Sequence, residues 1–301
     1  MSDLLYINDI PISEYGVILG DKSYKSVIQW ASLKDVNVNN WAEYDYVEPD
    51  LSNPKLEKRS VILNFHATGV EGFESFLDIL TENSLNTFYF PELGITLPMR
   101  VEKSSLSNVN EKWQSFSVTF SDDTPFVIQN PTIEDIDLTP QGYLLDDVDL
   151  STYGVSILDG TLKGLREIGD IKPRLTISEK SKNGAFYDYE SDVNINSNSI
   201  KLKCLIRAKT LKNAVLNYYS LLNDLIKPSE RKIFIRPTAE VILCYYKSCS
   251  VSEVYARLAS GLAGIAFEVT LELVEKGTIV TLARDDERYA LTDEDGTYLI
   301  M

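Results

Sequence analysis

Histidine occurs once in this 301-residue chain, as His66, and cysteine three times, as Cys204, Cys244 and Cys249. A single imidazole with no serine or cysteine beside it in a nucleophile setting leaves no catalytic triad to assemble. The cysteines have no metal-ligand spacing, and Cys204 falls inside an apolar strand-like run, where a thiol behaves as a small hydrophobe; neither a disulfide nor a zinc site is expected. No apolar run approaches the length of a membrane span, and Asp3 stands where a signal peptide would carry Lys or Arg. The expectation is a protein without a signal peptide or membrane segment, made and kept in a cytosol until it is assembled or released. Clustered basic charge is also missing: the net charge is −16, which argues against wrapping nucleic acid through phosphate neutralisation.

The acidic groups offer no obvious chemistry. Asp146-Asp147-Asp149 and Asp285-Asp286-Glu287 fall in expected turns and linkers, where solvated charge is the usual meaning. Asp293-Glu294-Asp295-Gly296 lacks the spacing of a calcium loop. Gly261-Leu262-Ala263-Gly264 precedes a strand and opens no helix, so it is no phosphate cradle. No catalytic, cofactor-binding or metal-binding residue is assigned, no cofactor is expected, and the chain reads as a non-enzyme.

What is present is an echo. Ile12-Ser13-Glu14-Tyr15-Gly16-Val17-Ile18-Leu19 returns as Leu150-Ser151-Thr152-Tyr153-Gly154-Val155-Ser156-Ile157-Leu158. Tyr44-Asp45-Tyr46 follows the first, and Tyr187-Asp188-Tyr189 the second. Then come the strand-like runs Ser60–Thr68 and Ile200–Thr210, each flowing into an amphipathic stripe. The first stripe is Phe73, Phe76, Leu77 and Leu80, with Thr68 and Glu71 spaced as a capping box. The second is Leu211, Ala214, Val215, Tyr218, Leu221, Leu222 and Leu225, with Thr210 as its cap and Lys227-Pro228 as its stop. Each copy closes on a matching strand, Phe116–Phe120 or Phe267–Leu271. Four landmarks in one order predict an internal duplication. In this alignment His66 falls opposite Arg207, the pattern of a polar surface position rather than a general base.

Six or seven strands and one helix per copy predict a mainly β chain of two tandem β-sandwich or barrel domains, each flanked by one helix. The expected boundaries are 1–123 for the first domain, 124–142 for a proline-containing connector, 143–276 for the second domain and 277–301 for a C-terminal hairpin appendage. Gly16 and Gly154 mark a bulge or a positive φ. Ser26–Val38 reads as strand. Residues 39–59 and 179–199 read as long polar arms bearing aromatics. Trp41, Tyr44, Tyr46, Phe186, Tyr187 and Tyr189 are the candidate partner-contact residues, on arms that either dock on a neighbour or fold back over their own core. Charge separates the copies: residues 1–142 carry −13, residues 143–276 carry +1 and the last 25 carry −4. In an assembly, unlike neighbours would repel less than two first copies, which favours alternation.

Asp9-Ile10-Pro11-Ile12-Ser13-Glu14-Tyr15-Gly16-Val17, an aromatic and acidic arm, then strand, helix and Phe116-Ser117-Val118-Thr119-Phe120, resembles the N-terminal ring domain of phage distal tail proteins and their tail-tube relatives. The resemblance covers residues 1 to about 123 and, through the echo, about 143 to 276. It implies a β-sandwich with one flanking helix, joined edge to edge into a ring at the tail tip or baseplate, in a virion assembled in a bacterial cytoplasm. DNA would pass through the channel without specific binding, and tail-tube and baseplate or hub proteins would be the neighbours. The chain departs from the distal tail pattern in having a second ring-like copy where a dissimilar C-terminal domain is usual. It would form a hexamer if one copy fills a place in the ring, or a pseudo-sixfold trimer, as in duplicated tube or hub proteins, if both do. From a different class, a cell-surface adhesin or carbohydrate-binding pair of β-sandwiches would use Trp41 and the tyrosine arms as sugar platforms.

Overall fold

The computed structural model describes residues 4–44, 46–109, 113–125, 133, 138–161, 170–173, 176–187, 193–236, 239–274, 283–285, 288–292 and 298–299; the side chains of 68–73, 106–109, 113, 187 and those beyond 274 lie outside the description. The chain is mainly β. Its first sheet has seven strands in the order β2-β1-β7-β8-β9-β6-β3: β1 (Tyr6–Ile7), β2 (Ile10–Pro11), β3 (Val17–Leu19), β6 (Arg59–Thr68), β7 (Asn86–Phe90), β8 (Ile95–Val109) and β9 (Trp113–Asp122). Its second sheet has the order β11-β10-β16-β17-β18-β15-β12: β10 (Tyr143–Leu145), β11 (Val148–Asp149), β12 (Val155–Ile157), β15 (Ser199–Ala208), β16 (Arg231–Ile235), β17 (Glu240–Tyr255) and β18 (Ala263–Leu273). Taken in chain order, each strand of the first sheet has a counterpart at the same place in the second.

The agreement extends to irregularities. The long strand β8 pairs with β7 over its first residues and with β9 over the rest, and its register slips at Val101/Lys103 and Leu106/Asn108. The corresponding strand β17 slips at Tyr246/Ser248 and Val251/Glu253. Across these bulges Val101 faces Phe120 as Tyr246 faces Leu271, and Leu106 faces Phe116 as Val251 faces Phe267. Each bulge bends and twists its strand. Two on one long strand curl each sheet round its own apolar face, which gives the sandwich-like or half-barrel form.

Alternation supplies the cores. Val61, Leu63, Phe65 and Ala67 are buried, as are Ile200, Leu202, Cys204, Ile206 and Ala208, while the intervening side chains face outward. Over the first inner face lies helix α2 (Gly69–Glu82), with Phe76 packed edge-on to Phe65 at 5.0 Å. Over the second lies helix α3 (Leu211–Leu225), with Tyr218 edge-on to Phe267 at 4.9 Å. Thr210 caps the second helix, its hydroxyl accepting from the Asn213 amide at 3.2 Å. The side chains of Thr68 and Glu71, the expected capping box of the first, lie outside the description.

The tight turns match as well. Asn8 and Asp9 have φ of 51° and 68°, and Asp146 and Asp147 have 47° and 70°, values that Asn and Asp tolerate better than other side chains. In each turn the first residue's side-chain oxygen accepts a backbone N–H from the neighbouring strand: Asn8 from Thr87 and Asp146 from Lys232, both at 2.9 Å. A 3-10 turn follows, Ile12–Tyr15 or Leu150–Tyr153, ended by Gly16 at φ 67° or Gly154 at φ 73°. These glycines hold the positive φ expected of them.

Two expectations are corrected. Residues 26–38 do not form one strand: helix α1 spans Ser23–Ile28, burying Ser23, Val27 and Ile28, and only Val38 at the far end enters a strand. Val27 and Ile28 suggest a strand by type, but Ser23 fixes the segment differently. Its hydroxyl donates to Gly20 O at 2.8 Å and accepts the Asn64 amide at 3.1 Å. The alignment of His66 with Arg207 also shifts. Val17 pairs with Ala67 and Ile18 with His66, whereas Val155 pairs with Ile206 and Ser156 with Leu205. The position matching His66 is therefore Leu205, because counted from that position the second helix, at Leu211, begins three residues later than the first, at Gly69. Near the C-terminus, β19 (Ala283–Asp285), β20 (Arg288–Thr292) and β21 (Tyr298–Leu299) form a small antiparallel sheet. The strand expected over 278–282, and most of the connector at 124–142, lie outside the described residues.

Candidate functional site: a docked arm and its counterpart

Between β3 and β6 the chain leaves the first sheet as an arm. Leu33 bridges to Leu56, and β4 (Val38–Asn39) pairs with β5 (Glu48–Pro49) to make a hairpin. A second arm leaves between β12 and β15, with Ile171 bridged to Ile195 and β13 (Thr176–Ile177) paired with β14 (Phe186–Tyr187). Their hydrogen bonds correspond: Lys34 N–H to Lys55 O and Lys172 N–H to Asn194 O, both 2.8 Å; Glu57 N–H to Ser32 O at 2.8 Å and Asn196 N–H to Asp170 O at 2.7 Å. At the tips, Tyr44 N–H donates to Trp41 O and Lys182 N–H to Glu179 O.

The first arm docks, and its host is the second half of the same chain. Beyond Cys244, strand β17 has β18 on one side and no strand on the other among the described residues. An open edge of this kind presents unpaired amides and carbonyls. Here the arm closes it. The Gln29 carboxamide, which carries the same donor and acceptor as a peptide group, donates through Nε2 to Cys249 O and accepts Val251 N–H at 2.8 Å. Leu33 N–H donates to Lys247 O at 2.8 Å, and the Tyr246 hydroxyl to Ala31 O at 2.7 Å.

Trp30 is the apolar anchor. It is 3% exposed, stacked on Tyr218 with ring centroids 4.2 Å apart and packed against Tyr246 and Phe267. Burying a side chain of this size contributes roughly 3 kcal/mol. Behind it Arg59 donates through Nε to Asp122 at 2.7 Å and through Nη1 to Val27 O and Gln29 O, holding the root of the arm. Tyr219 lies beside that guanidinium; burial raises its phenol pKa and Arg59 opposes the rise. Cys249 sits under the docked segment with its Sγ 3.3 Å from the Tyr218 hydroxyl, and burial pushes its thiol up to about 12.

Further along, Val47 N–H donates to Val274 O at 2.8 Å and Ser229 N–H to Leu51 O at 3.1 Å. The tip then folds over Lys172. Its ammonium, almost wholly buried, donates to the carbonyls of Trp41 at 2.7 Å, Tyr44, and Tyr46 at 3.4 Å, while Asn194 Nδ2 donates to Ala42 O at 2.7 Å. Three main-chain oxygens around one ammonium satisfy its three donors.

The candidate contact residues therefore act differently from their aromatic character. Trp41 and Tyr44 keep their rings half exposed, Tyr44 stacks on Tyr46 at 5.0 Å, and all three grip Lys172 through backbone oxygen. Phe186 is 66% exposed on the second arm; the Tyr187 ring and the whole of Tyr189 lie outside the description. The two open alternatives for the arm were a neighbour and its own core. The first arm lies instead on the other half of its own chain. Sequence reasoning missed Gln29, Trp30, Arg59 and Lys172, whose partners are distant along the chain. Trp30, apolar and just past Val27-Ile28, was the only local signal.

His66 is a cross-strand contact. Its Nδ1 is 2.8 Å from Ser115 Oγ, with Ile18 its partner on the other side. The sequence placed no serine near this histidine; the pairing of β6 with β9 does, on the outer strand surface, in the kind of cross-strand pair that ties neighbouring strands.

No family model matches the chain, and no curated protein matches it. Among solved structures it is similar to a crystal structure described as that of the SPP1 Dit (gp 19.1) protein, "a paradigm of hub adsorption apparatus in Gram-positive infecting phages", at 8% identity and a TM-score of 0.34, covering 90% of this chain and 98% of that one.

Proposed function

We propose that this chain is a non-enzymatic structural protein of a phage or phage-derived tail, forming a ring at the tail tip around the channel through which DNA passes. The observation that carries this reading is the use of one sheet topology twice, with the arm of the first half laid across the open edge of the second. A module that reaches onto the next module of the same kind is the repeating step of a ring or a filament, and a ring results where the rotation per step closes on itself. Two such modules in one chain further suggest an internal duplication, with each half filling one place, so that three chains make a pseudo-sixfold ring. An acidic balance of −16 would keep a polyanion from adhering to the wall it slides past.

Negative-stain imaging of the purified protein tests the reading. It should show annular particles with a central hole. Isolated single chains at every concentration would reject it.

A further inference from the structure

The first arm covers the second half, but the first half has an arm-binding surface of its own and the second half has an arm of its own. We infer that the second arm docks on the first half of another copy of this chain, with its tip, Glu179 to Gly184, folded over Lys34. The inference rests on the ring reading above and assigns its inter-chain contact.

Lys34 and Lys172 occupy one position in the two arms. Each donates its amide across the arm to the matching carbonyl, Lys55 or Asn194, next to the matching bridge, Leu33–Leu56 or Ile171–Ile195. Lys172 is 3% exposed because the first arm's tip covers it; Lys34 is exposed. The covering tip also has its match. The carbonyls that hold Lys172 belong to Trp41, Tyr44 and Tyr46, and the same places in the second hairpin, counted from the paired strands and the shared tip hydrogen bond, are Glu179, Lys182 and Gly184. In the single chain residues 176–186 are exposed, Ile177 and Phe186 among them, and among the described residues Glu179 and Lys182 pair with each other.

Among the described residues the rest of the matching surface is uncovered as well. Lys247 O, Cys249 O and Val251 N–H receive the first arm on β17. By the matching bulges their counterparts on β8 are Glu102, Ser104 and Leu106, where β9 pairs on one side and no described strand lies on the other. A second copy is the occupant that fits, because it alone brings the matching arm. Charge agrees: the contact sets a half carrying +1 against a half carrying −13, whereas two first halves in contact would repel.

Lys34→Glu tests this by native mass measurement beside the wild type, with thermal melting as the control for folding. It sets a carboxylate against carbonyl oxygens in the proposed contact and changes an exposed side chain in the single chain. The expected result is a wild-type ring and a Lys34→Glu protein that remains single-chain at tenfold higher concentration with an unchanged melting temperature. Replacing residues 179–184 by Gly-Gly removes the same contact from the other side and should also disperse the ring, which keeps the test decisive should Lys34→Glu misfold. A wild-type ring that survives both changes overturns the docking assignment and leaves the ring reading standing. A wild type that never forms a ring overturns both.

Discussion

Trp30 and Trp41 stand eleven positions apart in one arm, and the structure gives them opposite weights. Trp30 is buried among Tyr218, Tyr246 and Phe267, so Trp30→Ala should cost about 3–5 kcal/mol in urea unfolding. Trp41 contributes its carbonyl and leaves its ring half exposed, so Trp41→Ala should lie within about 0.5 kcal/mol of wild type. Cys249 reports on the same contact. Burial holds its pKa near 12, so at pH 8 the reactive thiolate is scarce and alkylation of the folded protein should be slow. Trp30→Ala should raise its labelling rate at least tenfold while Cys204, deep in the second core, stays protected. Equal rates in the two proteins would mean that the arm does not shield this site. The Arg59–Asp122 pair makes a third residue-scale case. Its counterparts in the second half are Asn198 and Leu273, since Arg59 pairs with Asp122 and the Leu273 amide donates to Asn198 O. Breaking a buried pair by removing one partner costs about 3–5 kcal/mol, whereas replacing both is much less damaging. Asp122→Leu alone should therefore be severe, and Arg59→Asn with Asp122→Leu milder in the same unfolding assay; a double variant as unstable as the sum of the singles would contradict this.

At the scale of the element, the 3-10 turns before β3 and β12 offer a paired test. Gly16 and Gly154 hold nearly the same left-handed backbone, where a Cβ costs about 1–2 kcal/mol. Gly16→Ala and Gly154→Ala should each lower stability by about that amount, read from the urea midpoint; a loss at only one of them would show that the two turns are not equivalent in energy. These turns were legible in the sequence because Tyr-Gly-Val carries its constraint locally. So were the strands over 61–67 and 200–208, whose alternation needs no partner to be seen, and the helix after Thr210, whose cap and stop lie in sequence. Helix α1 was not legible. Val27 and Ile28 favour a strand by type, and the contact that decides otherwise is the Ser23 hydroxyl on Asn64, 41 residues away. The site followed the same rule: aromatic residues marked the arm, but the atoms that hold it are the carbonyls of Trp41, Tyr44 and Tyr46 and the side chain of Gln29. Backbone oxygens have no sequence signature, and the bulges that align Val251 with Gln29 emerge only once β17 and β18 are paired.

As a whole molecule, the chain makes one kind of contact internally and, on the proposal above, makes it again with another copy. The contact within the chain carries Trp30, Gln29 and the Arg59–Asp122 pair. At the matching site of the first half, Val101 stands where Tyr246 stands in the second, and the second half supplies Asn198 and Leu273 in place of the ion pair. The contact between chains should accordingly be the weaker of the two, so that dilution separates whole chains without releasing the first arm. The most direct measurement is native mass of the wild-type protein across a dilution series. The expected result is a closed particle of three chains that breaks into folded single chains; a particle of six chains as the smallest ring, or a single chain at every concentration, would rule this assembly out.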